Sequence, residues 1–341
     1  MVLSVVVYGI GAAAVSDGAS QAALLHLLPV VAVHRKTQTA ALRIVQAALD
    51  GGGMRDVCVL LLGRLWCARP GDPELLELLE RLLRTLSYNA GRALTCAPRE
   101  RATRQAELVA SSVATLGVCR QSPREALVLA PSLLQLLECP LAVVLEHALQ
   151  GLAQLCRSGE LAFLPCWRAV ERVLGDRAVI SAQHGTRVGV ALLQLLSCAL
   201  PGLEEYQELE NERASMAEQA EEVTDDVLGP YATVIELTVQ AARDVLGGGW
   251  ATDGVRAAAY TLLEEAVHMQ LDAAPLLALC DEGEGRCQMR DMLLSETAAA
   301  DATPMSVGAC EALVVAVLTA QSHTCSHFAP RRADAVRRPT P

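Results

Sequence analysis

Aromatic side chains are scarce. Phe, Trp and Tyr make up 3% of the 341 residues, although apolar residues as a whole make up 52%. Sheets lean on aromatic and β-branched cross-strand pairs, so this composition speaks against a β-sandwich. Leu, Ala and Val must fill the interior, and they suit closely packed helices. Lysine is almost missing: Lys36 stands alone and the other basic residues are Arg, a bias of genome composition rather than of function. No apolar run reaches the roughly 20 residues of a spanning helix. The apolar start, Met1 to Val15, has no basic flank, so it does not read as a secretory signal. The twelve cysteines have no repeated spacing, which speaks against a disulfide framework. Cys58, Cys156 and Cys198 fall on apolar helix faces, as free core thiols in a reducing, cytoplasmic compartment would. The formal charge of −11 and the few aromatics give no footprint for direct nucleic-acid binding.

Helices are what the sequence does supply. Thr37 is expected to cap a helix running to about Leu49, with Ala41, Leu42, Ile44, Val45, Ala48 and Leu49 as its apolar stripe. Gly51-Gly52-Gly53 stops it, because glycine is costly in a helix and cheap in a turn. Met54 to Ala68 carries Val57, Cys58, Leu61, Leu62 and Leu65 on one side. Asp72 is a good N-cap and Pro73 a good first residue for the helix of Leu75, Leu76, Leu79, Leu82, Leu83 and Leu86. Further helices are predicted over Arg99–Arg120 (Ala106, Val109, Val113, Leu116 and Val118 inward), from Pro123 through Leu137, from Pro140 through Leu155, over Leu161–Leu174 and over Val179–Leu200. Each needs neighbours on both sides to hide its stripe. Turns recur at roughly 20 residues per helix and 40 per pair, the armadillo/HEAT range. The fold class is therefore all-α: an armadillo/HEAT-like α-solenoid of stacked helix pairs.

The expected organisation is a helical array over residues 1–202, an acidic linker or excursion over 203–226, more helices over 227–322, and a disordered tail from 323 to 341. Glu204, Glu205, Glu208, Glu210, Glu212, Glu218, Glu221, Glu222, Asp225 and Asp226 stand against a single base, Arg213, so the segment carries a net −9 of the total −11. Apolar residues there are too few for a packed helix, so a mobile, solvated excursion is expected. These ten acids are the candidate docking strip for a basic protein partner. Beyond it, helices are expected over Val227–Leu246, Gly254–Leu271 and Met305–Thr319.

Patterns that carry chemistry fail on context. Val5 to Ala14 reads as a strand followed by G-x-G-x-x-A, the shape of a dinucleotide fingerprint at Gly9 and Gly11. No acid lies about 20 residues on to hold a ribose, and no second βαβ unit follows. This leaves an oxidoreductase as the rival from another class, and a repeat helix as the expectation. Glu264, Glu265 and His268 form a Glu-x-x-His without the second copy that a di-metal bundle needs. His323, Cys325 and His327 alternate too tightly for tetrahedral zinc, and Cys280 and Cys287 are too far apart for a zinc knuckle. No catalytic residue, cofactor site or metal site is assigned.

Leu28-Pro29, Val33-His34-Arg35, Leu42-Arg43-Ile44-Val45, Arg55-Asp56-Val57, Leu65-Trp66 and Pro73-Glu74-Leu75 resemble, in order and spacing, a block of the focadhesin family, which includes the plant RESURRECTION protein. His147 to Cys156 and Cys166-Trp167-Arg168-Ala169 are similar to the next block. The likeness runs from about Leu24 to Leu200 and fades by Leu271. It implies a non-enzymatic armadillo/HEAT-like scaffold without cofactors, linked in animals to focal adhesions and the SKI complex and in plants to the cytoplasmic RNA exosome. The family's proteins are longer, so the resemblance casts this chain as an internal segment or short relative. A generic adaptor in adhesion or vesicle trafficking is the runner-up. Trp66 and Trp167 are the expected buried anchors.

Overall fold

The computed structural model describes residues 25, 27–31, 35–50, 54–88, 90–92, 95, 97–175, 185–202, 206, 208, 230–246 and 250–268. Every regular element among them is helical. Contacts divide the chain into two compact units, Met1–Ala178 and Val179–Pro341.

In the first unit a short helix α1 (Leu28–Val31) leads to α2 (Arg35–Asp50), α3 (Arg55–Ala68), α4 (Pro73–Ser87), α5 (Pro98–Gln121), the single turn α6 (Pro123–Ala126), α7 (Ala130–Leu137), α8 (Ala142–Arg157) and α9 (Phe163–Leu174). The long helices fall into two layers. Along one, α3 packs on α5 and α5 on α8; along the other, α4 packs on α7 and α7 on α9. Each hairpin step crosses between layers, as α3 to α4 and α8 to α9 do. This is the stacked helix-pair architecture of an armadillo/HEAT-like array.

Local chemistry sets several of these elements. Asp72 Oδ1 accepts the backbone N–H groups of Glu74 at 3.2 Å and Leu75 at 3.4 Å, with Pro73 at the start of α4. The cap satisfies donors that the first helical turn leaves open. The α4 stripe of Leu75, Leu79, Leu83 and Leu86 is buried, whereas Glu74, Glu77 and Arg81 face solvent. At the far end of α4, the Ser87 hydroxyl donates to Gln135 Oε1 of α7 at 2.7 Å. Gly159, at φ +75°, takes the left-handed conformation that closes α8.

Helix α5 departs from its expected pattern. Ala106 and Val113 are exposed, and the buried set is Leu108, Ala110, Ala114, Leu116, Val118 and Cys119 together with Ser111, Ser112 and Thr115. The reason is position: α5 is sandwiched between α3 and α8, so it is covered on two faces instead of one. Small residues then matter more than a Leu stripe. A methyl built on Gly63 of α3 would lie 2.9 Å from Ala114 Cβ, which shows how closely the two helices approach. The buried hydroxyls avoid a desolvation cost by bonding back into their own helix: Ser111 to Glu107 O at 2.7 Å and Thr115 to Ser111 O at 2.7 Å.

Three further expectations need correction. Thr37 lies inside α2, whose first residue is Arg35, and so does not cap it. The helix expected from Pro123 to Leu137 is broken: a 3-10 turn, Leu127–Leu129, separates α6 from α7. Pro131 has no N–H for the Leu127 carbonyl, and Ala130 N–H takes that acceptor in the tighter geometry. Cys198 is half-buried at the end of its helix rather than a core residue.

The second unit contains α10 (Gly185–Ser197), α11 (Pro230–Leu246) and α12 (Asp253–His268), which pack on one another. Val188, Leu192 and Leu195 of α10, Val234, Ala242 and Val245 of α11, and Val255, Ala259 and Leu262 of α12 are buried. The Thr186 and Thr252 hydroxyls hydrogen-bond at 2.9 Å. The Met305–Thr319 helix and the 323–341 tail lie outside the described residues.

Candidate functional site

The candidate acids fall almost wholly outside the described residues. Of the ten, only Glu208 is described; it is helical and exposed. Gly9, Gly11, Cys280, Cys287, His323, Cys325 and His327 also lie outside them. Glu264, Glu265 and His268 belong to α12, where Glu265 is exposed. Among the described residues, no group of His, Cys, Asp and Glu is arranged to hold a metal ion.

A polar seam that the sequence reading missed joins α5 to α8. Ser112 Oγ lies 3.0 Å from His147 Nδ1. Farther along, Arg120 donates to Gln150 Oε1 at 3.1 Å, and Gln150 Nε2 reaches Glu146 Oε1 at 3.5 Å. A serine beside a histidine invites a nucleophile-and-base reading, but the geometry opposes it. Ser112 is wholly buried, and its hydroxyl hydrogen is already given to Val109 O at 2.8 Å. Its oxygen can then accept from His147 Nδ1–H, which makes the pair an interhelical tie. No single-helix pattern could have flagged it, because the partners are 35 residues apart.

The α3, α5 and α8 layer ends at a shared cleft of about 510 Å³. Pro70 and Gly71 follow α3, Gln121 to Glu125 span the α5–α6 junction, and Ser158 and Glu160 belong to the α8–α9 turn. Helix carboxyl ends carry partial negative charge. Here the first residues past them partly answer it: Arg69 N–H bonds Leu65 O at 3.1 Å, Ser122 N–H bonds Val118 O at 2.9 Å, and Ser158 N–H bonds Gln154 O at 3.1 Å. Arg124, Glu125 and Glu160 give the cleft both signs of charge. It is an open, shallow surface of mixed polar and apolar lining.

None of the seven described cysteines is in a disulfide. Burial, with a smaller push from the Asp56 carboxylate, raises the Cys58 thiol to about 11. Burial also raises Cys119 to about 12 and Cys67 above its ordinary value. These three thiols are held protonated and unreactive at neutral pH.

With this two-layer helical arrangement in view, the family model described as Focadhesin/RST1, DUF3730 matches residues 6–230. The chain belongs to the focadhesin/RST1 family. The match takes in all of α1 to α10 and runs through the acidic segment. No curated protein and no solved structure matches the chain. Focadhesin/RST1 membership agrees with the helical scaffold that the stacked layers form. No described helix is long and apolar enough to cross a membrane.

Proposed function

We propose that this focadhesin/RST1 chain is a non-enzymatic scaffold that binds protein partners, and that the acidic segment, Glu204 through Asp226, is one of its docking elements. The observation that carries the reading is the family match itself, which spans the stacked layers and the acids together over residues 6–230. The resemblance points to the SKI complex and cytoplasmic RNA exosome as partners, and to the cytoplasm as the place of action. In this account the stacked helices supply the binding surface, and the acids supply charge that attracts a basic face of the partner. No cofactor takes part.

Deleting Glu208–Glu222 tests this. Loop closure entropy changes slowly with length, by about 0.6 kcal/mol per doubling, so the melting temperature is expected to move little. Capture of purified SKI complex is expected to weaken. The segment's contribution is expected to be larger at low salt, because exposed charges are screened beyond about 8 Å at physiological ionic strength. Unchanged capture at both low and high salt would remove the docking role, and a large loss of stability would make the segment a packed element.

A further inference from the structure

Helix α5 is covered by α3 and α8 on its flanks and by α4 and α7 behind. Its fourth side is open. Ala106 and Val113 are exposed there and Val109 and Gly117 half-buried, at the three- and four-residue spacing of one helix stripe. Val113 is 41% exposed, unusual for a branched apolar side chain at the centre of a layer. The open side continues onto α3 through Val57 and Leu60 and onto α8 through Val143, all half-buried. Arginine frames this apolar floor. The three helices carry seven arginines against four acids, a local +3 in a chain of −11. Two of the acids are already engaged: Glu107 pairs with Arg104 at 3.5 Å, and Glu146 accepts from Gln150 at 3.5 Å. Arg64, Arg120 and Arg157, one from each helix, are exposed. Arg120 is steadied by Gln150 Oε1 at 3.1 Å, a neutral partner that leaves its charge unanswered.

We propose that this open face is a second docking surface, and that it takes an extended acidic segment of a partner protein. The partner's carboxylates pair with Arg64, Arg120 and Arg157, and its small apolar side chains lie on Val109 and Val113. This adds to the scaffold reading a surface of opposite charge to the acidic segment. The register sets the spacing of the ligand. A methyl on Gly63 would meet Ala114 and one on Gly117 would meet Cys67, so α3 and α5 run side by side in one direction. Ser112 beside His147, and Cys119 Sγ 3.7 Å from a methyl on Gly151, give α5 and α8 the same relation. Arg120 therefore lies about five residues farther along the layer than Arg64, and Arg157 about four farther than Arg120. With helix axes about 9 Å apart and a rise of about 1.5 Å per residue, successive arginines are about 12 Å apart. An extended chain covers that distance in three to four residues, at about 3.3 Å each. The same face suits a nucleic acid poorly. Trp66, which is buried, is the single Phe, Trp or Tyr of the three helices, so no ring is offered for base stacking.

The test uses the full chain and a fluorescein-labelled synthetic peptide with glutamate at every fourth position and valine, alanine and serine between, read by fluorescence anisotropy. The peptide is expected to bind, less tightly as salt is raised, and its lysine-for-glutamate counterpart is expected not to bind. A variant combining Arg64→Glu, Arg120→Glu and Arg157→Glu is expected to weaken binding about tenfold or more. Arg84→Glu with Arg168→Glu, at exposed positions of α4 and α9, is expected to leave it unchanged. On the wild-type chain, a benzophenone in place of one peptide valine is expected to crosslink to the tryptic fragment Gln105–Arg120, which holds Val109 and Val113. No binding, equal binding of the lysine peptide, or indifference to the triple reversal in a folded variant would overturn the proposal. So would a crosslink confined to α4 or α9. Tighter binding of labelled poly(U) would make the face a nucleic-acid site, and self-association lost in the triple variant would make a second copy its occupant; either result overturns it. Because the crosslink is read on the wild-type chain, a variant that fails to fold leaves the question decided. Capture of purified SKI complex reads the acidic segment separately, so failure of one surface is distinct from failure of the other.

Discussion

Replacing Trp66 by alanine is expected to cost roughly 3–5 kcal/mol, because the indole is 1% exposed on a helix that packs on both sides. The side chain sits near the end of α3, in the layer that α5 also occupies. Removing it leaves a cavity that neighbouring helices cannot close without moving the layer. For a unit of this size the melting temperature is expected to fall by roughly 10 °C. Trp167 is expected to behave alike: it is 4% exposed and its ring lies 6.0 Å from that of Phe163 in a stacked arrangement. A control separates volume from hydrogen bonding. Neither indole N–H has a hydrogen-bond partner, so each is a buried donor that stabilises nothing. Phenylalanine at position 66 removes that donor and keeps most of the volume, and is expected to cost less than about 1.5 kcal/mol. Equal melting temperatures for the alanine variants and the wild type would mean that the tryptophans are not core residues.

Adding one methyl at Gly63 is expected to destabilise the chain by about 1–3 kcal/mol, although glycine to alanine inside a helix ordinarily gains about 1. The methyl would lie 2.9 Å from Ala114 Cβ and 3.0 Å from Ala114 Cα. The obstacle is backbone, so α3 and α5 must separate. Gly117, one turn farther along α5, provides the opposite case. Its methyl would meet only Cys67 Sγ at 3.6 Å, an ordinary contact, so Gly117→Ala is expected to stabilise by up to about 1 kcal/mol. Gly151 is intermediate, since the atom at 2.9 Å is Leu133 Cδ2, the far end of a side chain that can rotate. Thermal melts of the three variants check the ordering. Stabilisation by Gly63→Ala would contradict the close approach of α3 and α5.

Helix α4 is largely legible in the sequence: its Asp72-Pro73 start holds and Leu75, Leu79, Leu83 and Leu86 are buried, whereas Leu76 and Leu82 are only half-buried and Leu78 joins the core, because α4 buries one face and exposes the other. The same logic failed on α5. A helix covered from two sides has no single stripe, and its burial of Ser111, Ser112 and Thr115 depends on which neighbours it meets. Pro123 was read as the start of one helix because proline suits a first turn, but Pro131 eight residues later breaks the run. The Ser112–His147 tie arises between helices. It has no spacing that a reading of one helix at a time can find. The acidic segment poses the reverse difficulty: its charge is plain in the sequence, whereas the docking role proposed for it depends on a second molecule.

Direct binding tests the scaffold role most plainly. Sedimentation velocity of the purified chain mixed with purified SKI complex is expected to show a faster species containing both, stronger at low salt than at high. Independent sedimentation of the two at every salt concentration would contradict the account.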